Sequence, residues 1–191
     1  MTDKNGVLSL ILDGQPDPTN PPVKRGSHVL DISCGDNHLL ARLKDKKGVY
    51  VASMAVGQCN KASLGRTGRR LDSLMPVGSL TGKVIDISAG PTHSMALKTD
   101  GTLMVFGDYC GSSYDEPTPC WGGLQYQNII TGDGFAIARP NDSLYMMGEA
   151  DKEPIKLDFS RLIKGSLHKV VDVSVEADRA CCVVELSSDF S

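Results

Sequence analysis

The sequence predicts an all-β propeller of about four blades, and three observations favour that fold class. One apolar segment recurs in a fixed register, as VLDIS at 29–33, VIDIS at 84–88 and VVDVS at 170–174. Including a weaker copy from Tyr126, the copies begin 55 residues apart (29 to 84), then 42 (84 to 126) and 44 (126 to 170). These spacings match a four-stranded blade. Apolar residues alternate with period two, and Gly and Pro interrupt every interval, so little helix is expected.

Each copy continues into a second apolar stretch and then a turn. The second stretches read CGDNHLLA from Cys34, AGPTHSMA from Ala89 and VEADRACC from Val175, while the weaker copy reads YQNIITGDGFAIA over 126–138. Asp-Gly in KTDGTLMVFG and Asn-Asp in RPNDSLYMMG suit tight hairpins, because these residues tolerate positive φ. The repeat unit is therefore predicted to be strand, turn, strand, hairpin, strand, with room for a fourth strand.

The stretch AGPTHSMALKTDGTLMVFG, residues 89–107, resembles the repeat of the regulator-of-chromosome-condensation (RCC1) family. The shared pattern is small-Gly-x-x-His-Ser-apolar-Ala-apolar, then Asp-Gly, then an apolar strand that ends in Gly. ASLGRTG from Ala62 is similar to that family's Gly-Gln-Leu-Gly ending, with Ser63 where Gln is usual. The resemblance extends over about 29–186 and implies an RCC1-like propeller.

The two ends of the chain predict how the ring closes. Residues 4–14, KNGVLSLILDG, align with the second half of a blade, whereas 170–186 supply a first half. We expect a single domain over 1–191, with repeats that start near 29, 84, 126 and 170 and with 1–28 completing the last blade. Strands from both termini would then pair and remove two open edges. Edge pairing between two chains, or an arc completed by a partner, are the alternatives.

Composition indicates an ordinary globular protein without a general affinity for nucleic acid. The formal net charge is −3 with a pI near 5.8, so direct DNA binding is not expected. No apolar run approaches the roughly 20 residues of a membrane span, and the opening MTDKNG is unlike a signal peptide, so an intracellular location, cytoplasmic or nuclear, is expected. The six cysteines form no CxxC pair and are predicted to be free thiols.

Residues that recur at one repeat position are predicted to be structural rather than catalytic. His38 and His93 occupy equivalent positions, as do Asp31, Asp86 and Asp172, so we expect them to satisfy backbone groups. No zinc spacing, phosphate loop or nucleophile elbow occurs, and neither an enzyme nor a cofactor or metal is predicted. The structural repeat positions are Gly35, His38, Asp86, Gly90, His93, Gly101, Gly107 and Gly132.

Two segments exceed the repeat and are candidate partner-binding loops. Residues 56–80 carry the densest basic cluster, and 110–123 carry the chain's single tryptophan. Loops on a rigid scaffold commonly perform recognition, and Arg, Tyr and Trp are enriched at binding hot spots. The alternatives are a solvated basic loop and a tryptophan that fills a blade interface. The candidate residues are Lys61, Arg66, Arg69, Arg70, Tyr114 and Trp121.

These patterns favour a protein-binding module or adaptor. The resemblance also implies a second activity, guanine-nucleotide exchange on a Ran-type small GTPase. A third hypothesis is an architectural subunit of a large stable complex, which exposed apolar patches would favour. The expected partner is another protein, a small GTPase or a large assembly among the possibilities, and the chain is expected to be a monomer or an edge-paired dimer.

Overall fold

Antiparallel sheets make up almost all of the regular structure. A computed structural model describes residues 11–12, 15–16, 27–56, 61–66, 74–82, 84–121, 124–141, 143–148, 153–158, 167–176 and 178–186. Within these ranges the only helical element is a single 3-10 turn, Lys61–Leu64. No helix among them is long and apolar enough to cross a membrane.

At the N-terminus, β1 (Ile11–Leu12) pairs with β2 (Gln15–Pro16). Residues 6–10, which are part of the predicted closing strand, lie outside the described residues. No described pairing joins β1 or β2 to another sheet. Closure of the ring by strands from both termini therefore stays a prediction.

The first two repeats form complete four-stranded blades. Blade 1 consists of β3 (His28–Cys34), β4 (His38–Asp45), β5 (Gly48–Ala55) and β6 (Met75–Thr81). Blade 2 consists of β7 (Val84–Ala89), β8 (His93–Lys98), β9 (Leu103–Tyr109) and β10 (Ser112–Cys120). Strands follow one another in sequence order, as expected for hairpins linked by tight turns.

The remaining repeats form blade 3 and a shorter last sheet. Blade 3 consists of β11 (Asn128–Thr131), β12 (Ala136–Arg139), β13 (Tyr145–Met147) and β14 (Ile155–Lys156). The last sheet has two described strands, β15 (Leu167–Glu176) and β16 (Arg179–Leu186). The predicted all-β propeller is confirmed: the inner strands begin at residues 28, 84, 128 and 167, within three residues of the predicted starts.

Most of the described hydrophobic core lies at the junctions between neighbouring sheets. Leu40 and Val51 of blade 1 pack with Ile87 and Phe106 of blade 2. A second cluster lies between blades 2 and 3 and contains Tyr109, Trp121 and Met147. A third joins Ile137 and Leu144 of blade 3 to Val170, Val173 and Val184 of the last sheet. Burial of apolar side chains at these junctions is the main force that holds the sheets together.

Two predicted loops contain regular structure. Residues 56–80 include the 3-10 turn and most of β6, and 110–123 include β10. The prolines Pro117 and Pro119 made β10 hard to recognise, but they lie on the outermost strand of blade 2, where a missing N–H costs no ladder bond. Its register shifts between Tyr114 and Thr118, which accommodates the extra residues.

Candidate interaction surface

The repeated glycines bring neighbouring blades into close contact. The amides of Gly35, Gly90 and Gly132 each donate to the carbonyl three residues on, with distances of 2.8–2.9 Å. A Cβ on Gly35 would overlap the carbonyl oxygen of Gly90, and a Cβ on Gly90 would lie 2.9 Å from the carbonyl oxygen of Gly132. Only glycine allows the three turns to touch in succession.

Gly107 and Gly101 are constrained in different ways. Gly107, at a φ of 97°, lies where a Cβ would come within 2.6 Å of the Thr92 carbonyl oxygen. Gly101, at a φ of 81°, forms the hairpin between β8 and β9 and packs against the side chain of Gln125. Both therefore support the turns of blade 2 and neither is available for binding.

His38 joins blade 1 to blade 2. Its Nε2 lies 2.8 Å from the hydroxyl oxygen of Ser94, and that hydroxyl donates to the carbonyl of Ser63 at 2.9 Å. Because the single hydroxyl proton of Ser94 is used in this way, we infer that His38 Nε2 is the donor. Burial lowers the pKa of His38 below its ordinary value, so the imidazole is neutral at pH 7.

His93 occupies the equivalent position at the junction of blades 2 and 3, but its ring is not hydrogen-bonded. It is 1% exposed, and neither Nδ1 nor Nε2 has a hydrogen-bond partner. Instead the ring packs against Tyr109, with 4.5 Å between the ring centroids. Burial, and secondly the charge of His38, lower the pKa of His93 to about 4. A neutral, enclosed imidazole of this kind has no access to substrate.

The repeated aspartates stabilise a shared backbone irregularity. In β3, β7 and β15 the register shifts immediately before Asp31, Asp86 and Asp172, and each carboxylate accepts the next residue's amide at 2.9–3.0 Å. Asp86 also accepts the Ile129 amide of blade 3 at 2.9 Å. The aspartates therefore bond to backbone donors, in one case across a blade junction.

The structure describes the side chains of three of the six candidate partner-binding residues, Arg66, Tyr114 and Trp121. Arg66 is partly buried and donates to the hydroxyl and the carbonyl of Ser53, so its guanidinium braces the end of the 3-10 turn. Arg69 and Arg70 lie outside the described residues, and so does the side chain of Lys61. Tyr114 is partly buried at the edge of the second core cluster.

Trp121 fills a blade interface, which is the second of the two alternatives that the sequence left open. It is 6% exposed and packs edge-on against Tyr109, with ring centroids 5.6 Å apart. Tyr109 in turn donates its hydroxyl to the Met147 carbonyl of blade 3 at 2.8 Å. This aromatic pair therefore connects blades 2 and 3.

One cavity of about 430 Å³ was not anticipated from the sequence. It lies where the inner strands β3, β7, β11 and β15 begin, and Asp31, Asp86 and Asp172 line it together with Arg139. The sequence did contain a signal for this cavity, because the three aspartates share one repeat position. Sequence alone did not show that a propeller brings that position from several blades to one opening.

Cysteines and acidic groups add no further site within the described part of the chain. Cys34, Cys120, Cys181 and Cys182 are free thiols, and the thiol of Cys110 donates to the Gly134 carbonyl at 3.0 Å. Cys59 lies outside the described residues. No group of three or more His, Cys, Asp or Glu in the described ranges is arranged to hold a metal ion.

Comparison with protein families identifies one repeat directly. The model of the Regulator of chromosome condensation (RCC1) repeat matches residues 84–112, which contain the first three strands of blade 2. A second model, Methionine biosynthesis protein MetW, matches residues 20–63. The described part of that stretch is mostly the antiparallel sheet of blade 1, and we draw no activity from it. No curated protein matches the sequence significantly.

Comparison with solved structures identifies the fold. Prp20p from Saccharomyces cerevisiae superposes with a TM-score of 0.69 at 18% identity, over 94% of this chain and 52% of that one. Yeast RCC1 (Prp20) bound to Kap60 gives 0.67 at 19%, over 95% and 48%. Human WBSCR16 gives 0.65 at 20%, over 91% and 49%. The chain thus spans about half the length of these propellers, and its resemblance to RCC1 repeats is confirmed.

Proposed function

We propose that this chain is a protein-binding module, an adaptor of the RCC1-like type that performs no bond chemistry. The observation that carries the proposal is that repeated His and Asp side chains form hydrogen bonds between blades. His38 bonds to Ser94 of the next blade, and Asp86 accepts an amide from blade 3. The residues that most resemble catalytic groups are therefore committed to the scaffold, which leaves loops and openings for recognition.

The structural neighbours support a protein as the partner. The work on Prp20p describes its binding to Gsp1p and histones, and a second structure contains Prp20 bound to Kap60. Gsp1p, histones and Kap60 are partners of Prp20. By analogy of fold alone, we propose a protein partner for this chain as well.

Within the loop 56–80 we propose that Arg69, Arg70 and Lys61 contact the partner. Arg66 is a less suitable contact because it braces Ser53. The test is affinity capture from cell extract with quantitative mass spectrometry. We expect R69A/R70A to lose partners that wild type enriches, while K46A/K47A, in the exposed turn between β4 and β5, retains them. Equal recovery with all three proteins would overturn the assignment of this loop.

Nucleotide exchange on a Ran-type GTPase is the second candidate, favoured by the similarity to Prp20p. The chain corresponds to about half of that propeller, so we propose binding with weak exchange or none. The test follows release of a fluorescent GDP analogue from Gsp1p with this protein or with Prp20p. A rate comparable to that of Prp20p would establish the exchange factor and contradict the adaptor.

A further inference from the structure

The cavity at the start of the inner strands has a mixed lining. Its charged groups are three carboxylates, from Asp31, Asp86 and Asp172, and the single guanidinium of Arg139. All four groups have other partners: each carboxylate accepts a backbone amide, Arg42 lies 3.9 Å from Asp31, and Arg139 donates to the Val170 carbonyl at 3.3 Å. The three carboxylates outnumber the guanidinium groups of Arg139 and Arg42, so the charge at the opening is negative.

The apolar part of the lining comes mainly from blade 3 and the last sheet. Ile130, Ile137, Leu144 and Val173 line the same cavity as the carboxylates. A pocket with an apolar wall and a small number of polar groups is the usual form of a ligand site. The aliphatic stem of a long basic side chain could lie on this wall while its charged end reaches the aspartates.

One apolar residue of the cavity lining is exposed to solvent. Val171 precedes Asp172, lines the cavity and is 51% exposed. A branched side chain in that position would contact whatever enters the cavity.

We propose that this opening binds an arginine or lysine side chain of a partner protein, presented on a segment whose neighbouring residues are apolar. The charge complementarity is carried mainly by Asp31 and Asp172, since Asp86 already accepts two backbone amides. The apolar complementarity is carried by Ile130, Val171 and Val173. The proposal rests on the protein-binding function proposed above, and it names the chemistry of the partner. Asp86 is partly buried. Burial, and to a lesser degree the charge of Asp31, raise the pKa of its carboxyl, and a bound cation would offset this rise by favouring the carboxylate.

The test uses N-acetyl-L-arginine N-methylamide as the probe and methyl-labelled protein for NMR. We expect saturable shifts of the Ile130 and Ile137 methyl groups, and none with the N-methylamide of N-acetyl-norleucine, which has the stem without the charge. No saturable shift, or equal shifts with both probes, would overturn the proposal.

Variants test whether the arginine probe binds at the carboxylates of the cavity. D172N removes one charge and retains the Oδ1 acceptor for the Val173 amide, so the fold should be preserved. We expect it to bind the arginine probe about tenfold more weakly, as for loss of a charged hydrogen-bond partner. D133N makes the same change in the exposed turn after β11 and should bind like wild type. Equal affinity of all three proteins would contradict the site.

A second readout separates this proposal from the function on which it rests. If wild type and D31N/D172N capture the same proteins from extract in equal amounts, protein binding stands and the cavity site is wrong. If the arginine probe saturates the cavity while wild type enriches no protein, the site stands and the adaptor function fails.

Discussion

The Nε2 of His38 lies 2.8 Å from the Ser94 hydroxyl oxygen, and this pair connects blade 1 to blade 2. At the next junction the equivalent residues are His93 and Ala136, and a methyl group cannot form that bond. Both His93 nitrogens are accordingly without a partner. The two junctions therefore differ in this hydroxyl as well as in the contact between His93 and Tyr109, and the contribution of the hydroxyl can be measured at each junction.

Removing the hydroxyl at one junction and adding it at the other should change stability in opposite directions. S94A should lower the free energy of unfolding by about 1–3 kcal/mol, because His38 would remain buried without a partner. A136S should raise it by about 0.5–1.5 kcal/mol. Urea unfolding provides the measurement. A138S is the control, because Ala138 lies in the same apolar cluster as Ala136 but is not equivalent to Ser94, so its added hydroxyl should lower stability. Destabilisation of A136S equal to that of A138S would contradict the assigned pairing.

Acid should destabilise the protein through His93. Its folded pKa of about 4 lies below the unfolded value near 6.5, so the unfolded chain binds the proton first as the pH falls. The stabilisation is complete above about pH 6.5 and is lost as the pH falls towards 4. Between pH 7 and pH 4.5, H93Q should lose about 2 kcal/mol less than wild type. Parallel stability profiles for the two proteins would show that His93 does not titrate in this way.

A methyl group added at one of the glycine turns between blades should lower the stability of the fold. G90A places a Cβ against the His93 ring and the Gly132 carbonyl, and it should cost about 1–3 kcal/mol. G78A is the matched control, since nothing lies within 4 Å of its Cβ position, and it should change stability by less than about 0.5 kcal/mol. Thermal melts of both variants test this, and equal melting temperatures would refute the close contact.

Deletion of residues 1–14 tests the predicted closure of the ring. If an N-terminal strand completes the last sheet, the deletion should expose the edge of β16 and destabilise the whole domain cooperatively. Calorimetry and sedimentation together decide the outcome. A deletion variant that melts like the parent and stays monomeric would place the seam elsewhere, whereas a dimer would indicate edge pairing between chains.

The sequence predicted the fold well because the repeat signal is long-range and periodic. VLDIS and VIDIS located inner strands, and the Asp-Gly turn located the hairpin at Gly101. His38 and Asp86 were predicted from their recurrence to be structural, and each forms a hydrogen bond across a blade junction. Repetition therefore carried information about the scaffold.

Features specific to one blade were harder to predict. The prolines of β10 concealed an outer strand, and the burial of Trp121 depends on Tyr109 and Met147, which are distant in sequence. Arg66 belongs to a basic run, yet it bonds to Ser53 thirteen residues earlier. The shared cavity of Asp31, Asp86 and Asp172 depends on how the blades surround the axis, which no single repeat specifies.

Hydrogen–deuterium exchange tests the central claim, that this propeller acts by binding a protein, most directly. The protein would be measured alone and with the partner that is most enriched in the capture experiment. We expect slower exchange in two regions. One is the set of inner-strand peptides next to the cavity, which cover 28–32, 84–87 and 170–173, and the other is the loop 57–73. Unchanged exchange throughout the chain at saturating partner would contradict the claim.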